Sequence, residues 1–205
     1  MKKLLLTLLL TTSLSTFALD LDFLFGSFCY ESPKVQNRNG VLYLPNQQEP
    51  FTGENLCVYK SNDQYHSKGN VLNGLRDGKW TWWHENGQKK EEGDFINDIK
   101  EGIWTLWDEN GQKKEEGNYK DGKLIGETKY LYYDNGQMKI EENYKDDKRD
   151  GKWTNWYENG QKSLEGNYRN NRRDGNWTWW HDNGQIRKEG HFKDGKLIGE
   201  TKYKY

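Results

Sequence analysis

From about residue 53 onward, large rings and aliphatic residues recur singly among charged ones, in stretches broken at regular intervals by Asn, Asp, Gly and Lys. The breaks carry a signature: Asn86-Gly87-Gln88, Asn110-Gly111-Gln112, Asn135-Gly136-Gln137, Asn159-Gly160-Gln161 and Asn183-Gly184-Gln185, at intervals of 24, 25, 24 and 24. A degenerate copy, Asn62-Asp63-Gln64, lies 24 residues before the first. The stretches between breaks are strand-length and show no helical period, and Asn-Gly is the strongest short-range hairpin signal. Each unit therefore predicts a strand, a tight turn at Asn-Gly, a second strand and a polar return turn. The return turns are placed at a second glycine: Gly78, Gly102, Gly126, Gly151, Gly175 or Gly199. Repetition of this unit predicts an all-β fold: an elongated, single-layer antiparallel meander of stacked β-hairpin repeats of about 24 residues each.

Two ring columns precede the turns. Trp80, Trp104, Trp153 and Trp177 stand six residues before them; Tyr59, Trp83, Trp107, Tyr132, Trp156 and Trp180 stand three before. Phe95, Tyr119, Tyr144, Tyr168 and Phe192 follow nine after. A separation of three departs from the period of two along one strand face, so either a bulge intervenes or one ring faces each side. Rings stacked between units supply the predicted core. The competing reading makes Trp82, Trp83, Trp107, Trp156, Trp179 and Trp180 ligand-facing platforms for successive sugars or a choline headgroup. The third full unit, Gly126 to Gln137, has one extra residue and Lys129 in the tryptophan column, which predicts a local departure. Glu92, Glu116, Glu141, Glu165 and Glu189 form a further column, with Lys90, Lys114, Lys139 or Arg187 two positions earlier. This reads as a charge ladder that keeps an open sheet solvated.

Composition changes the picture in two ways. Of 205 residues, 32% are hydrophobic and 31% charged, a balance close to that of disordered chains. The 10 Trp and 13 Tyr argue instead for a fold held by aromatic burial. Acidic and basic residues nearly cancel, 32 against 31, which gives no field to recruit nucleic acid. At the N-terminus, Met1-Lys2-Lys3, the apolar run Leu4 to Leu10 and Thr16-Phe17-Ala18 have the order of a signal peptide cleaved after Ala18, and the run is too short to span a bilayer. The chain then divides into 1–18, a signal peptide, 19–52, an N-terminal segment capping the array with Phe23 to Phe28 against the first repeat, and 53–205, six hairpin repeats plus a terminal half repeat. In an oxidising compartment Cys29 and Cys57 form a candidate disulfide. Gly26-Ser27-Phe28 ahead of Cys29 does not resemble a lipoprotein cleavage signal.

No catalytic, cofactor-binding or metal-ligating motif is present: there is no HExxH, CxxC, Gly-x-Ser-x-Gly or phosphate-binding glycine loop. His84 and His181 hold equivalent positions four units apart and read as surface residues flanking a turn. The glutamates recur in equivalent surroundings, unlike a catalytic pair whose members differ in environment.

The unit Gly102 through Gly122 resembles the MORN repeat variant, which reads Gly-x-Trp-x-x-Trp-x-x-Asn-Gly-Gln-Lys-x-x-Glu-Gly-x-Tyr-x-Asp-Gly-Lys. Asn39-Gly40-Val41-Leu42-Tyr43, leading to Glu49-Pro50-Phe51-Thr52-Gly53, is similar to the start of YwqK-family antitoxins of bacteria. The resemblance implies ribbons of stacked hairpins with no catalytic residues and no cofactor. Joined to the signal peptide, it implies a non-enzymatic exported protein of the periplasm, outer surface or secreted fraction. Such a protein acts as a protein-binding or scaffold module of the cell envelope. The alternatives are cell-wall glycan or choline binding, an antitoxin binding a toxin partner, and phospholipid binding.

Overall fold

The computed structural model describes residues 29–204; residues 1–18, expected as a signal peptide, and the run Phe23 to Phe28 lie outside the described residues, as do the side chains of Cys29 and Tyr30. The strands are β1 (Cys29–Ser32), β2 (Gln36–Arg38), β3 (Val41–Tyr43), β4 (Gly53–Tyr59), β5 (Tyr65–Leu72), β6 (Leu75–Trp83), β7 (Lys89–Ile96) and β8 (Ile99–Trp107). They continue as β9 (Lys113–Lys120), β10 (Lys123–Tyr132), β11 (Met138–Lys145), β12 (Lys148–Trp156), β13 (Lys162–Arg169), β14 (Arg172–Trp180), β15 (Ile186–Lys193) and β16 (Lys196–Lys202). Fourteen of them form one open sheet in the order β1, then β4 to β16 in sequence, antiparallel throughout, and β2 pairs with β3 separately. The all-β meander of hairpins is the observed fold.

Each Asn-Gly lies in the loop between two paired strands, as expected, but the loop is not a two-residue turn. Asn86 is absent from the residues at positive φ, whereas Gly87 has φ 82, with Gly87 N donating to His84 O at 2.9 Å and His84 N to Gln88 O at 2.8 Å. This is a longer loop in which an ordinary turn is followed by one left-handed glycine, and Lys90 is left over as a bulge because Trp83 pairs with Lys89 but Trp82 with Glu91. The two-residue turns lie at the opposite rim, where both residues take positive φ: Asn73-Gly74, Asn97-Asp98, Asp121-Gly122, Asp146-Asp147, Asn170-Asn171 and Asp194-Gly195. The glycines expected to make return turns are inside strands instead. Gly78 and Gly102, with φ 74 and 69, are bulge residues of β6 and β8; Gly126 and Gly199 lie within β10 and β16 without positive φ.

Those bulges set up the core. Trp80 and Trp82 share one face of β6, stacked at 5.6 Å, while Trp83 falls on the other, so a change of face accounts for the spacing of three and the bulge lies on the partner strand at Lys90. The Trp80 indole lies across Gly69 of the preceding strand, Trp104 across Gly93 and Trp177 across Gly166; a Cβ at any of these glycines would fall inside the ring. Each indole N–H then reaches the carbonyl after its glycine: Asn70 at 2.8 Å, Asp94 at 3.1 Å and Asn167 at 3.1 Å. Trp104 and Trp177 are fully buried on the fourteen-stranded sheet. Phe95 meets Trp104 edge-on at 4.7 Å and Tyr168 meets Trp177 at 5.0 Å, a favoured ring geometry. Arg76, Lys100, Arg149 and Arg173 close the face from outside, over Phe95, Trp104, Trp153 and Trp177 at 4.0, 3.9, 4.6 and 4.5 Å.

The third unit breaks this spine. On the β9 side Glu127 pairs with Gly117, and on the β11 side Lys129 pairs with Glu142, so two charged residues share the tryptophan's place and bridge each other at 2.9 Å. Burial, then the neighbouring Glu127 carboxylate, raises the Glu115 carboxyl beside them. Trp153, opposite Glu142 rather than a glycine, stays half-buried and donates to Asn155 Oδ1 instead. At the other end, the β2–β3 hairpin docks beside the first two-residue turn through Leu42 N to Gly74 O and Gly74 N to Phe51 O, at 2.8 and 2.7 Å. Leu42 and Phe51 thereby cover the Val71, Trp80, Phe95 and Trp104 cluster.

The seat predicts a contrast between two glycine-to-alanine changes. Gly93→Ala displaces Trp104 and costs about 2–3 kcal/mol in urea unfolding. Gly126→Ala, whose added Cβ meets only Tyr144 O at 3.4 Å, changes stability by less than about 0.5 kcal/mol. Equal losses would contradict the seat.

Candidate functional site

The face opposite the buried spine carries Trp83, Trp107, Trp156 and Trp180, all half-buried. Successive tryptophans lie two strands apart, about 10 Å. Tyr132 holds the intervening third-unit position. Trp82 and Trp179, the other two expected platforms, belong to the spine: Trp82 contacts Trp104 at 5.9 Å, and Trp179 contacts Trp177 and Phe192, both at 6.2 Å. The six candidates thus separate onto two faces, two in the packed stack and four in an accessible row.

Between the tryptophans run Glu and Lys. Lys89 and Lys79 both meet Glu92, at 2.7 and 2.9 Å, Lys113 meets Glu116 at 2.6 Å, and Lys162 and Lys152 meet Glu165 at 2.5 and 3.1 Å. The lysine two positions before each glutamate was the expected partner; the loop bulge puts Lys90 out of register and brings Lys89 onto the glutamate's face. The same lysines approach the ring row, with Lys89 5.5 Å from Trp107 and Lys162 5.9 Å from Trp180. Beneath them Thr81, Thr105 and Thr154 are buried, and Thr81 Oγ1 donates to Glu92 at 3.0 Å. Among the described residues no group of His, Cys, Asp and Glu is arranged to hold a metal ion.

The loop rim carries a second regular feature that the sequence reading missed. Tyr59 Oη donates to Trp83 O of the next repeat at 2.8 Å, Tyr133 to Trp156 O at 2.8 Å and Tyr157 to Trp180 O at 2.8 Å; His84 Nε2 meets Trp107 O at 3.1 Å in the same role. His84 is therefore a rung between repeats and not simply a surface residue beside a turn. The loop asparagines add a parallel set, Asn62 to Glu85 O and Asn86 to Glu109 O at 2.6 Å, Asn135 to Glu158 O at 3.0 Å and Asn159 to Asp182 O at 2.6 Å. A ring two residues before four of the five Asn-Gly dipeptides (His84, Tyr133, Tyr157 and His181) was the available signal, masked because Asp108 breaks that column and Tyr59 stands three residues before Asn62. Near the opposite end Cys57 is disulfide-bonded; the chain's other cysteine, Cys29, lies on β1, the strand paired with β4.

The carboxylates of the charge ladder give this face a pH dependence. Burial would raise Glu92, Glu116 and Glu165, but bonds from the lysines, with Thr81 on Glu92 and Tyr130 on Glu116, outweigh it and hold all three below the usual glutamate value. A folded-state pKa below the unfolded one contributes stability that is present above the unfolded value near 4.3 and is lost as pH falls through the folded value. Glu115, shifted the other way, opposes this with a single group. The urea midpoint should fall between pH 5 and pH 3, and Glu92→Gln should flatten that fall; a midpoint that rises on acidification would contradict the ladder.

A family model described as MORN repeat variant matches residues 76–97, 100–121, 128–146, 149–170 and 173–194, more than half of the chain. Each of the four full-length matches spans one strand, its loop and the returning strand, and the shortened third begins at Thr128, between the charged Glu127 and Lys129 of β10. No curated protein matches the chain. Repeats of this kind form binding modules, and the chain belongs to the MORN repeat variant family.

Proposed function

We propose that this protein is an exported, non-enzymatic module of the cell envelope that binds another protein through the row Trp83, Trp107, Trp156 and Trp180. The observation that carries the reading is the asymmetry of the two faces. On one, the rings pack on one another with arginine and lysine close over them, while the other carries four half-buried tryptophans a repeat apart among paired charges, with lysines more distant at 5.5 Å from Trp107 and 5.9 Å from Trp180. Half-exposed tryptophans with a satisfied polar surround are the composition of an interface anchor, since tryptophan gains most when a partner completes its desolvation. A repeated row also suits an extended partner better than a small molecule. A glycan reading loses Trp82 and Trp179, which are packed into the spine.

Trp107→Ala with Trp156→Ala should reduce capture of a cross-linked envelope partner at least tenfold, about the effect of losing one strong anchor, with an unchanged far-ultraviolet circular dichroism spectrum. Undiminished capture would overturn the assignment of the face. Cell fractionation with non-reducing intact mass tests export. The expected species begins at Leu19 outside the cytoplasm with Cys29 and Cys57 bridged. An unprocessed cytoplasmic chain with free thiols would overturn export and favour the antitoxin-like reading of residues 39–53.

A further inference from the structure

Of the repeat-to-repeat contacts along the loop rim, one is different. At the position held by Tyr59, His84, Tyr133 and Tyr157 the second full unit carries Asp108, whose Oδ1 accepts from Asn110 N and Gln112 N of its own loop, both at 2.9 Å. A carboxylate has no proton to donate, so among the described residues no side chain reaches the Tyr132 carbonyl, the counterpart of Trp83, Trp107, Trp156 and Trp180 O. The asparagine rung is missing at the same interface: Asp134 O receives no amide, and Gln112 Nε2 turns instead to Gly136 O at 3.0 Å. The extra length of the third unit sets the two loops apart. What remains is a cleft of about 670 Å³ where a ring lies in the other interfaces, with Asp108, Tyr130, Tyr132, Tyr133 and Asp134 along it and Lys114 at its margin.

The lining of this cleft carries two carboxylates, Asp108 and Asp134, against one ammonium, Lys114, together with the amides of Asn110, Gln112 and Asn135. The backbone carbonyls of Tyr132 and Asp134 are acceptors without side-chain donors, and the carboxylates of Asp108 and Asp134 are acceptors as well. Two of the three phenol protons are spent elsewhere, Tyr130 on Glu116 at 2.6 Å and Tyr133 on Trp156 O at 2.8 Å. Tyrosine rings make up the walls. A group that completes the site must be planar enough to replace a ring, rich in N–H donors and positively charged; a guanidinium has all three properties and stacks on aromatic faces, whereas an ammonium lacks the plane. Lys114 offsets one of the two carboxylates and leaves the cleft with net negative charge.

We infer that the interrupted rung between the Asp108 loop and the Tyr133 loop is a binding site for an arginine side chain of a protein partner, seated between the Asp108 carboxylate and the Tyr132 carbonyl. The inference deepens the protein-binding reading by naming an anchor on the partner, and it rests on that reading only for the source of the arginine.

The test titrates the full mature chain, labelled with nitrogen-15, with Nα-acetyl-arginine amide, and in parallel with the citrulline and lysine analogues. Saturable shifts are expected at residues 108–112 and 132–136, with the arginine compound held about tenfold more tightly than the neutral citrulline one, the factor for one charge-assisted hydrogen bond. Asp108→Tyr, which restores the rung, should raise the melting temperature and abolish the shifts; Asp108→Asn, which keeps the loop size, should weaken binding at least fivefold. Equal affinity for arginine and citrulline, shifts confined to other residues, or undiminished binding in both variants would overturn the site. If the arginine compound is not held while the tryptophan face still captures a partner, the cleft assignment fails and the proposed function stands. If it is held and no partner is captured, the proposed function fails and the site remains.

Discussion

A sheet one layer thick has nothing to bury its rings against except its own backbone, and everything else in this protein depends on how that is done. An indole laid flat on a β-strand needs the residue beneath it to have no side chain, because a Cβ at Gly69, Gly93 or Gly166 would occupy the ring itself. The ring's N–H must also find an acceptor once it is out of water, and the next carbonyl along the same strand supplies one. Glycine is otherwise a weak strand residue, but here its cost is offset by the largest apolar side chain available. The seat links a strand to its neighbour in the preceding hairpin, so the repeats carrying Trp80, Trp104 and Trp177 are each stabilised by the one before, as expected of a quasi-one-dimensional array.

The loop rim repeats the same logic with polar groups. Ring hydroxyls or an imidazole, and the loop asparagines, each satisfy a carbonyl of the following repeat. The opposite rim does so through backbone N–H groups of the two-residue turns, such as Asp98 to Arg76 O and Asn171 to Arg149 O. These contacts fix the stagger between repeats, and through it the spacing of the tryptophan row on the accessible face. Burial, register and the exposed face are consequences of one geometry.

The third unit is where that geometry is interrupted on both counts. Glu127 and Lys129 replace the seated indole, and Asp108 replaces the ring donor of the rim. Local rule-breaking of this kind, in an otherwise consistent array, is the usual mark of a position kept for something other than packing. The aromatic spine is split into a half anchored on Trp80 and Trp104 and a half anchored on Trp153 and Trp177, with the open cleft lying at the join on the loop rim.

The sequence by itself determined the period, the all-β class, the ring columns and the irregular third unit, because each depends on residue identity recurring at fixed intervals. It also limited the tryptophans three apart to a bulge or a change of face. It placed a hairpin loop at each Asn-Gly but not the loop type, since Asn-Gly is compatible both with a two-residue turn and with a longer loop in which glycine alone is left-handed. The choice between them is made by the bulge at Lys90 and by the bond from Asn86 to the next repeat. Gly78 and Gly102 looked like turn residues for the same reason: positive φ serves a bulge as well as a bend. Which of the six candidate tryptophans, all half-buried, join the ring stack and which form the separate row was decided only by tertiary structure. The packing of Trp82 and Trp179 depends on rings in neighbouring strands that no local pattern identifies.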